Sequence, residues 1–188
     1  MPNVYDFDKT VAYPDSGFTF FNFCFRRYPL KLARYLPHLG RELLQFDKRR
    51  KRDLPVKGEF YIFLRSLPDW REEVRLFWEA KADKILKPWY LEQKRPDDII
   101  ISCTAEFLLG PLCEQLGVRL LGTHVDMNTF RLQGESCFGE EKVRRYREAY
   151  GDTEIDEFYS DSLYDSPLAR ISKKAFFVRD DDILPWPE

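Results

Sequence analysis

The chain has 188 residues and a mass of 22.5 kDa, which corresponds to one domain or to one domain with an inserted subdomain. Hydrophobic residues make up 44% and charged residues 33%, a balance that supports a packed core and excludes a disordered polyelectrolyte. The longest apolar stretch, residues 17–25, is too short for a membrane-spanning helix, which needs roughly 20 apolar residues. The N-terminus lacks the features of a secretion signal, so we expect a cytoplasmic protein.

The cysteines and histidines do not form a zinc-binding pattern. The four cysteines, at positions 24, 103, 113 and 137, include no C-x-x-C pair, and His38 and His124 are far apart in the sequence. Structural zinc sites use closely spaced ligands of these types. We therefore expect free thiols, as is usual in a reducing cytosol.

Basic residues concentrate in one segment of a chain whose net charge is −2. Residues 20–60 contain eleven lysines and arginines against four acidic residues, so this segment carries +7 and the remainder −9. The asymmetry favours an anionic partner for the basic segment, and a solvated helix face is the simpler alternative. No nucleic-acid-reading motif accompanies the basic run Lys48–Arg52, so we expect no nucleic-acid partner.

The first half of the chain is predicted to be helical after one short strand. Residues 2–8 predict a strand that ends in acidic residues, and residues 11–91 predict three to five helices and no strand. Prolines separate the helical pieces. One predicted helix face carries five leucines at helical spacing: Leu32, Leu36, Leu39, Leu43 and Leu44.

The second half predicts strands that alternate with helices. The β-branched run at residues 99–103 is typical of a strand buried on both faces. Further strands are predicted at 118–125, 155–160 and 174–179, helices at 106–116 and 140–150, and a hairpin at 130–136. The acidic run at 180–182 and the proline-rich end predict a surface tail. The alternation indicates a parallel sheet with helices on its faces.

The pattern D-x-D-x-T directly after the first strand is the most informative feature. Strand periodicity aims Asp6 and Asp8 the same way, and ligands bind at the carboxyl ends of parallel strands. Two neighbouring carboxylates repel each other unless a cation or a proton relieves them. Mg²⁺ prefers oxygen ligands, and a bound Mg²⁺ would relieve the repulsion between these carboxylates. The alternative is a strand end with two solvated acids.

Four further polar residues follow in a compatible order. Ser102 ends a predicted strand, Lys142 begins a helix after Gly139, and Asp161 and Asp165 follow another strand. Taken singly, Ser102 and the two acids could be helix caps and Lys142 a surface lysine. Their joint occurrence at strand ends and helix starts favours a common site.

These pieces resemble the four motifs of the haloacid dehalogenase superfamily of phosphohydrolases. VYDFDKT is similar to the first motif, IISCT to the second, Lys142 to the third and YSDSLYD to the fourth. The resemblance implies an α/β, Rossmann-like parallel sheet with helices on both faces and an inserted all-helical cap of the C1 type. The core would comprise residues 1–10 and 91–188 and the cap residues 11–90, as in the phosphoserine-phosphatase-like branch. Lys9 and Ser160 stand where many members have glycine.

The resemblance also implies a Mg²⁺-dependent reaction. Asp6 would attack phosphorus and form an aspartyl-phosphate, and Asp8 would protonate the leaving alcohol and then activate water. A dehalogenase expels halide and needs no acid two residues after its nucleophile, so Asp8 favours phosphate esters.

The implied metal ligands are the Asp6 carboxylate, the Asp8 backbone carbonyl and the Asp161 carboxylate, with Asp165 supporting the metal site. The residues expected to bind the substrate phosphate are Thr10, Ser102 and Lys142. Thr10 would also orient Asp8 or its loop.

Two substrate classes are open. The segments CFGEEKV and EFYSDSLYDSPLA, with the basic aromatic cap, are most similar to bacterial phosphatidylglycerophosphatase C, which implies a lipid headgroup phosphate. The alternative is a soluble metabolite such as phosphoserine. Glu59 and Arg65 could then bind the charged groups of that substrate. The intact charged motifs argue against a non-catalytic binding module.

The aromatic residues of the predicted cap allow two interpretations. They form the core of the cap, or they belong to an amphipathic surface that rests on an anionic membrane, with basic residues meeting lipid phosphates. The second interpretation places the protein peripherally at the inner membrane face. The residues concerned are Phe18, Phe20, Phe21, Phe23, Phe25, Tyr28 and Tyr35.

Overall fold

The centre of the molecule is a six-stranded sheet in the order β3-β2-β1-β6-β7-β8. The computed structural model describes residues 1–50 and 59–187, and for residues 46–50 it describes the backbone only. All neighbouring strands are parallel except β7 and β8. The strands of the sheet are β1 (Val4–Tyr5), β2 (Ile99–Ala105), β3 (Arg119–Thr123), β6 (Ile155–Ser160), β7 (Ser172–Arg179) and β8 (Asp182–Pro185).

Helices cover both faces of this sheet, so the predicted α/β architecture is confirmed. The described helices are α1 (Ser16–Arg27), α2 (Pro29–Leu32), α3 (Leu36–Arg50), α4 (Trp70–Ile85), α5 (Pro88–Gln93), α6 (Glu106–Leu116), α7 (Glu140–Tyr150) and α8 (Ser166–Arg170). Single 3₁₀ segments occupy Ala33–Tyr35, Phe60–Ser66 and Leu163–Asp165. Five of the eight described helices lie between β1 and β2, as predicted. In the part of the chain that the structure describes, no helix has the length and apolar composition of a membrane span.

The central strands contribute side chains alternately to two apolar clusters. Val4 and Ile99 lie in one cluster, whereas the next residue of each strand, Tyr5 and Ile100, lies in the other. This follows from the two-residue period of a strand. Because both faces are buried, the run at residues 99–101 is continuously apolar.

The inserted helices share the larger of these clusters. Phe20 and Phe77 pack in it together with Tyr5 of the sheet. The indole Nε1 of Trp78 on α4 donates a hydrogen bond of 2.6 Å to the Leu108 carbonyl of α6. The insert is therefore packed directly against the sheet layer. A division into a core of residues 1–10 and 91–188 and a cap of residues 11–90 remains our proposal.

Two local predictions need correction. The hairpin consists of β4 (Val125–Asp126) and β5 (Arg131–Leu132), not of residues 130–136, because Asp126 caps the turn and Phe130 closes it with a positive φ of 54°. The predicted tail is partly a strand, since β8 pairs with β7 after a turn in which Asp180 has a φ of 52°.

Candidate active site at the carboxyl edge of the sheet

A buried lysine joins the carboxylate of Asp6, directly after β1, to that of Asp165, in the 3₁₀ segment that follows β6. Lys142, in the first turn of α7, donates hydrogen bonds of 2.7 Å to Asp6 Oδ1 and of 2.7 Å to Asp165 Oδ2. Its side chain is only 2% exposed. Asp6 directly follows β1, and its backbone N–H donates to the Tyr159 carbonyl of β6. The parallel arrangement of β1 and β6 thus brings these three predicted residues together.

Ser160 completes the surroundings of Asp165. The Ser160 hydroxyl donates to Asp165 Oδ2 at 2.7 Å and accepts the Ser162 N–H at 3.1 Å. A glycine at this position could not make either bond. The serine therefore helps to keep Asp165 oriented toward Lys142.

Thr10 joins the loop after β1 to the loop after β6. Its hydroxyl accepts the Asp161 N–H at 2.9 Å and lies 3.4 Å from Asp161 Oδ1. Thr10 is fully buried. The contact fixes Asp161 relative to the D-x-D-x-T loop, while the partners of Asp8 lie elsewhere.

The Asp8 carboxyl group accepts two hydrogen bonds, one at each oxygen. The Ser16 N–H, at the start of α1, donates to Oδ1 at 2.7 Å, and the Thr104 hydroxyl donates to Oδ2 at 2.6 Å. Burial raises the pKa of Asp8 to about 6, with a further contribution from Asp15, and the two hydrogen bonds oppose this increase. Thr104 and Ser16 were not predicted as site residues, because no sequence spacing relates them to Asp8.

Lys9 adopts a backbone conformation that glycine reaches without strain. Its φ is +61°, in the left-handed region. The buried ammonium group of Lys87 donates to the Lys9 carbonyl at 2.8 Å and also to the Asp180 carbonyl. Lys87 therefore holds the loop that carries Asp6 and Asp8, although nothing in the sequence pattern marked it.

Ser102 is buried in the middle of β2 and does not end the strand as predicted, because the strand continues to Ala105. Its hydroxyl accepts the Thr104 N–H at 3.1 Å. A hydroxyl can also donate, so this geometry leaves the proton of Ser102 for another acceptor.

The site contains more negative charge than its lysine can balance. Burial raises the pKa of Asp6 above its usual range, against the attraction of Lys142. The carboxylates of Asp165 and Asp161 raise the pKa of Asp6 further. Burial alone would lower the pKa of Lys142, but the carboxylates of Asp165 and Asp6 raise it. This excess of oxygen ligands and negative charge fits a hard divalent cation such as Mg²⁺.

The cation site would combine side chains with backbone. Within residues 1–50 and 59–187, no three His, Cys, Asp or Glu side chains come together as ready metal ligands. A site built from two carboxylates, Asp6 and Asp161, and the backbone carbonyl of Asp8 does not require such a group. The donor set is therefore compatible with the predicted cofactor.

A cavity of about 490 Å³ leads from these groups to the inserted helices. Its lining includes Asp6, Asp8, Lys142, Asp161 and Asp165. The insert contributes apolar and acidic side chains to the same lining: Asp15, Phe18, Glu42, Leu43, Phe60 and Tyr61. The cavity is therefore lined by charged groups of the sheet edge and by a mostly apolar set from the insert.

Comparisons with known proteins place the chain in a family. The model of the haloacid dehalogenase-like hydrolases matches residues 4–170. Protein CicA of Caulobacter vibrioides is 25% identical over 185 residues, covering 90% of this chain and 82% of CicA. The family match over residues 4–170 spans all four motif segments predicted from the sequence.

Solved structures show the same fold. A Bordetella pertussis protein of unknown function superimposes with a TM-score of 0.71 at 20% identity, covering 93% of this chain and 87% of that one. A phosphoserine phosphohydrolase-like protein from Francisella tularensis superimposes with a TM-score of 0.54 at 16% identity, covering 93% and 86%. These structures support the Rossmann-like architecture of the sheet and its helices.

Proposed function

The chain belongs to the haloacid dehalogenase-like hydrolases, and from this premise we propose that it is a Mg²⁺-dependent phosphomonoester hydrolase that acts through Asp6. One observation carries the proposal. The Asp6 carboxylate lines the cavity, held at Oδ1 by Lys142, with the Asp8 carboxyl group lining the same cavity. A nucleophile and an acid–base group thus face one space.

The reaction would proceed in two steps at phosphorus. An Asp6 carboxylate oxygen forms a bond to phosphorus, the bond to the alkoxy oxygen breaks, and that oxygen takes the proton of Asp8. Asp8 then removes a proton from water, which attacks phosphorus and releases Asp6 and phosphate. Each step leaves Asp8 in the protonation state that the other step requires.

Positive charge must accompany this transfer. Lys142 is buried beside Asp6 and balances the charge of the carboxylate and of the phosphoryl oxygens. Mg²⁺, when bound by Asp6, Asp161 and the Asp8 carbonyl, would offset further negative charge on the transferring group. Thr10 and Ser102 would hold the loop and a phosphate oxygen, respectively.

The sharpest test replaces the nucleophile. We expect Asp6→Asn to lower the rate of Mg²⁺-dependent phosphate release by a factor of about 10⁴ or more, because the amide cannot form the acyl-phosphate. The matched control is Asp152→Asn, whose side chain is fully exposed beyond the end of α7. Phosphate release by Asp6→Asn at the wild-type rate, or wild-type release that a chelator leaves unchanged, would contradict the proposal.

A lipid-borne phosphomonoester is the substrate class that the surface favours. Phe18 and Leu43 line the cavity and are each 44% exposed, so apolar surface continues from the cavity to the outside. Leu30, Leu36 and Leu44 add exposed apolar surface on α2 and α3. Four exposed basic side chains accompany them: Arg26, Lys31, Arg34 and Arg41. Leucines beside basic residues suit the interface of an anionic membrane.

The aromatic residues contribute little to this surface. Phe20 and Phe21 are buried in the core, and the others in α1 and its neighbours are at least partly buried, apart from Phe18. The predicted leucine face takes their place, because only Leu32 and Leu39 of its five leucines are buried. The basic run Lys48–Arg52 belongs to the basic segment for which an anionic partner is predicted, and it lies outside the described side chains.

The soluble alternative finds no support in the two residues suggested for it. Glu59 accepts a hydrogen bond of 2.7 Å from Arg131, and Arg65 donates to the Thr129 carbonyl at 3.0 Å. Neither lines the described cavity. We therefore favour the lipid substrate over phosphoserine.

The two substrate classes can be compared directly. Phosphate release would be measured from anionic vesicles containing phosphatidylglycerophosphate and from phosphoserine, each with Mg²⁺ and with a chelator. Release from the vesicles, with sedimentation that weakens as salt is added, is the expected result. Release from phosphoserine alone would overturn the lipid assignment and keep the phosphatase.

A further inference from the structure

The Asp8 carboxyl group is held from two different parts of the fold. Thr104, near the end of β2, donates to Oδ2 at 2.6 Å. The Ser16 N–H, at the first residue of α1, donates to Oδ1 at 2.7 Å. These donors occupy one direction at each carboxyl oxygen, so the plane of the group is fixed while it still lines the cavity.

We propose that Thr104 is a positioning residue that aims Asp8 at the leaving oxygen of the substrate. The proposal rests on the phosphatase function above and gives a role to Thr104, the last residue of the IISCT segment, which the motifs left without one. As the P–O bond breaks, the alkoxy oxygen takes the Asp8 proton, so the rate depends on where the Asp8 carboxyl group points. A displacement of about 1 Å in a reacting group can cost two orders of magnitude in rate.

The Thr104 hydroxyl can serve Asp8 in both of its protonation states. It donates to the Asp8 carboxylate in the geometry observed here. The Ser16 hydroxyl lies 3.3 Å from the Thr104 hydroxyl. When Asp8 carries a proton, both donors can stay in place, since each carboxyl oxygen still accepts a hydrogen bond, and the acid proton is left for the leaving oxygen. The Ser16 hydroxyl can donate to the Thr104 oxygen, which keeps the Thr104 proton directed at Asp8.

This arrangement makes the position of the Asp8 carboxyl group depend on how α1 packs against the sheet. Ser16 belongs to the insert and Thr104 to the sheet, and the two hydroxyls meet beside Asp8. The acid is therefore aligned when the start of α1 lies against the end of β2. Ser16 is fully buried, and Thr104 is buried apart from its contact with the cavity.

The experiment compares two substrates that differ in their need for an acid. Phenyl phosphate releases a basic oxygen that requires a proton, whereas 4-nitrophenyl phosphate releases a stable anion. The value of kcat/KM reports the steps up to departure of the leaving group. For Thr104→Val we expect kcat/KM to fall about 10- to 100-fold with phenyl phosphate and less than about threefold with 4-nitrophenyl phosphate.

Three variants make the comparison specific. Thr104→Ser restores the hydroxyl and should restore the rate with phenyl phosphate. Asp8→Ala should show the same preference for 4-nitrophenyl phosphate, more strongly. Thr123→Val removes another buried hydroxyl, one that donates to the Cys103 carbonyl, and should change both rates by the same factor.

The outcomes separate this inference from the proposed function. Equal losses with both substrates in Thr104→Val, or no loss, would overturn the positioning role while Asp8→Ala keeps its preference. Thr104→Ala provides a second test if the valine variant does not fold. A wild-type protein that hydrolyses neither phosphate with Mg²⁺ would instead overturn the phosphatase function itself.

Discussion

The carboxyl edge of the sheet and the inserted helices place charge and apolar surface in opposite ways. At the edge, Lys142, Asp6 and Asp165 are buried and joined by hydrogen bonds of 2.7 Å. On α2 and α3, basic side chains such as Lys31 and Arg41 are exposed, and so are leucines. One region buries its charges, and the other exposes its apolar groups.

The difference teaches which physical cost each region carries. Burying charged groups is unfavourable unless they are paired, but it fixes their positions and strengthens their interactions. Exposed leucines cost little in the isolated protein and gain free energy only against another apolar phase. The edge is therefore organised for a reaction, and the insert has a surface suited to contact.

The largest effect is expected from removing the buried cation. Lys142→Met leaves Asp6 and Asp165 facing each other without their common partner. We expect the free energy of unfolding, measured with urea in the presence of a chelator, to fall by about 3–5 kcal/mol. Adding Asp165→Asn to this variant removes one of the two charges and should recover part of the loss. A decrease below about 1 kcal/mol would show that Lys142 stabilises the protein no more than a member of an exposed ion pair does.

The contacts at the carboxyl edge of the sheet were easier to predict from the sequence than the exposed surface of the insert. The motif residues lie at strand ends, and parallel strands bring their carboxyl ends together, so the meeting of Asp6 and Lys142 follows from chain order. Thr104 and Lys87 escaped prediction because their partners are 96 and 78 residues away and depend on side-chain packing. Their residue types alone carry no sign of these contacts.

The insert was harder to predict for a related reason. Helical periodicity shows which residues share a face, but it does not show what covers that face. The leucine face was expected to be one side of a single helix. The chain instead forms α2, a 3₁₀ turn and α3, so Leu32 and Leu39 point inward while Leu36 and Leu44 are exposed.

An intermediate effect is expected from the exposed leucines. In the double variant Leu36→Gln/Leu44→Gln, the rate with vesicle-borne substrate should fall about tenfold or more, because burying one leucine contributes about 1.5–3 kcal/mol. The rate with 4-nitrophenyl phosphate should stay unchanged. Leu91→Gln/Leu184→Gln alters two exposed leucines on other elements and serves as the control. Equal rates for both double variants on vesicles would show that Leu36 and Leu44 do not contribute to membrane contact.

The smallest effect is expected on α7, where buried and exposed charges lie two residues apart. Arg144 is 55% exposed and pairs with Glu141 and Glu148. Since Glu141 also keeps Arg145 as a partner, Arg144→Gln should lower the free energy of unfolding far less than Lys142→Met does. A loss of stability as large as that of Lys142→Met would mean that the contribution of a charged residue depends on its position in α7 and not on its burial.

The pH dependence of the Arg144→Gln difference identifies its source. The hydrogen bond from Arg144 lowers the pKa of Glu141 below its usual range, and burial opposes this only in part. A carboxyl group with a lowered pKa contributes stability above its unfolded pKa and loses it as the pH falls through its folded pKa. The difference between wild type and variant, measured by urea unfolding, should therefore be full at neutral pH and vanish on acidification through the pKa of Glu141. A difference that persists unchanged at acid pH would assign the effect to packing of the arginine stem instead of its charge.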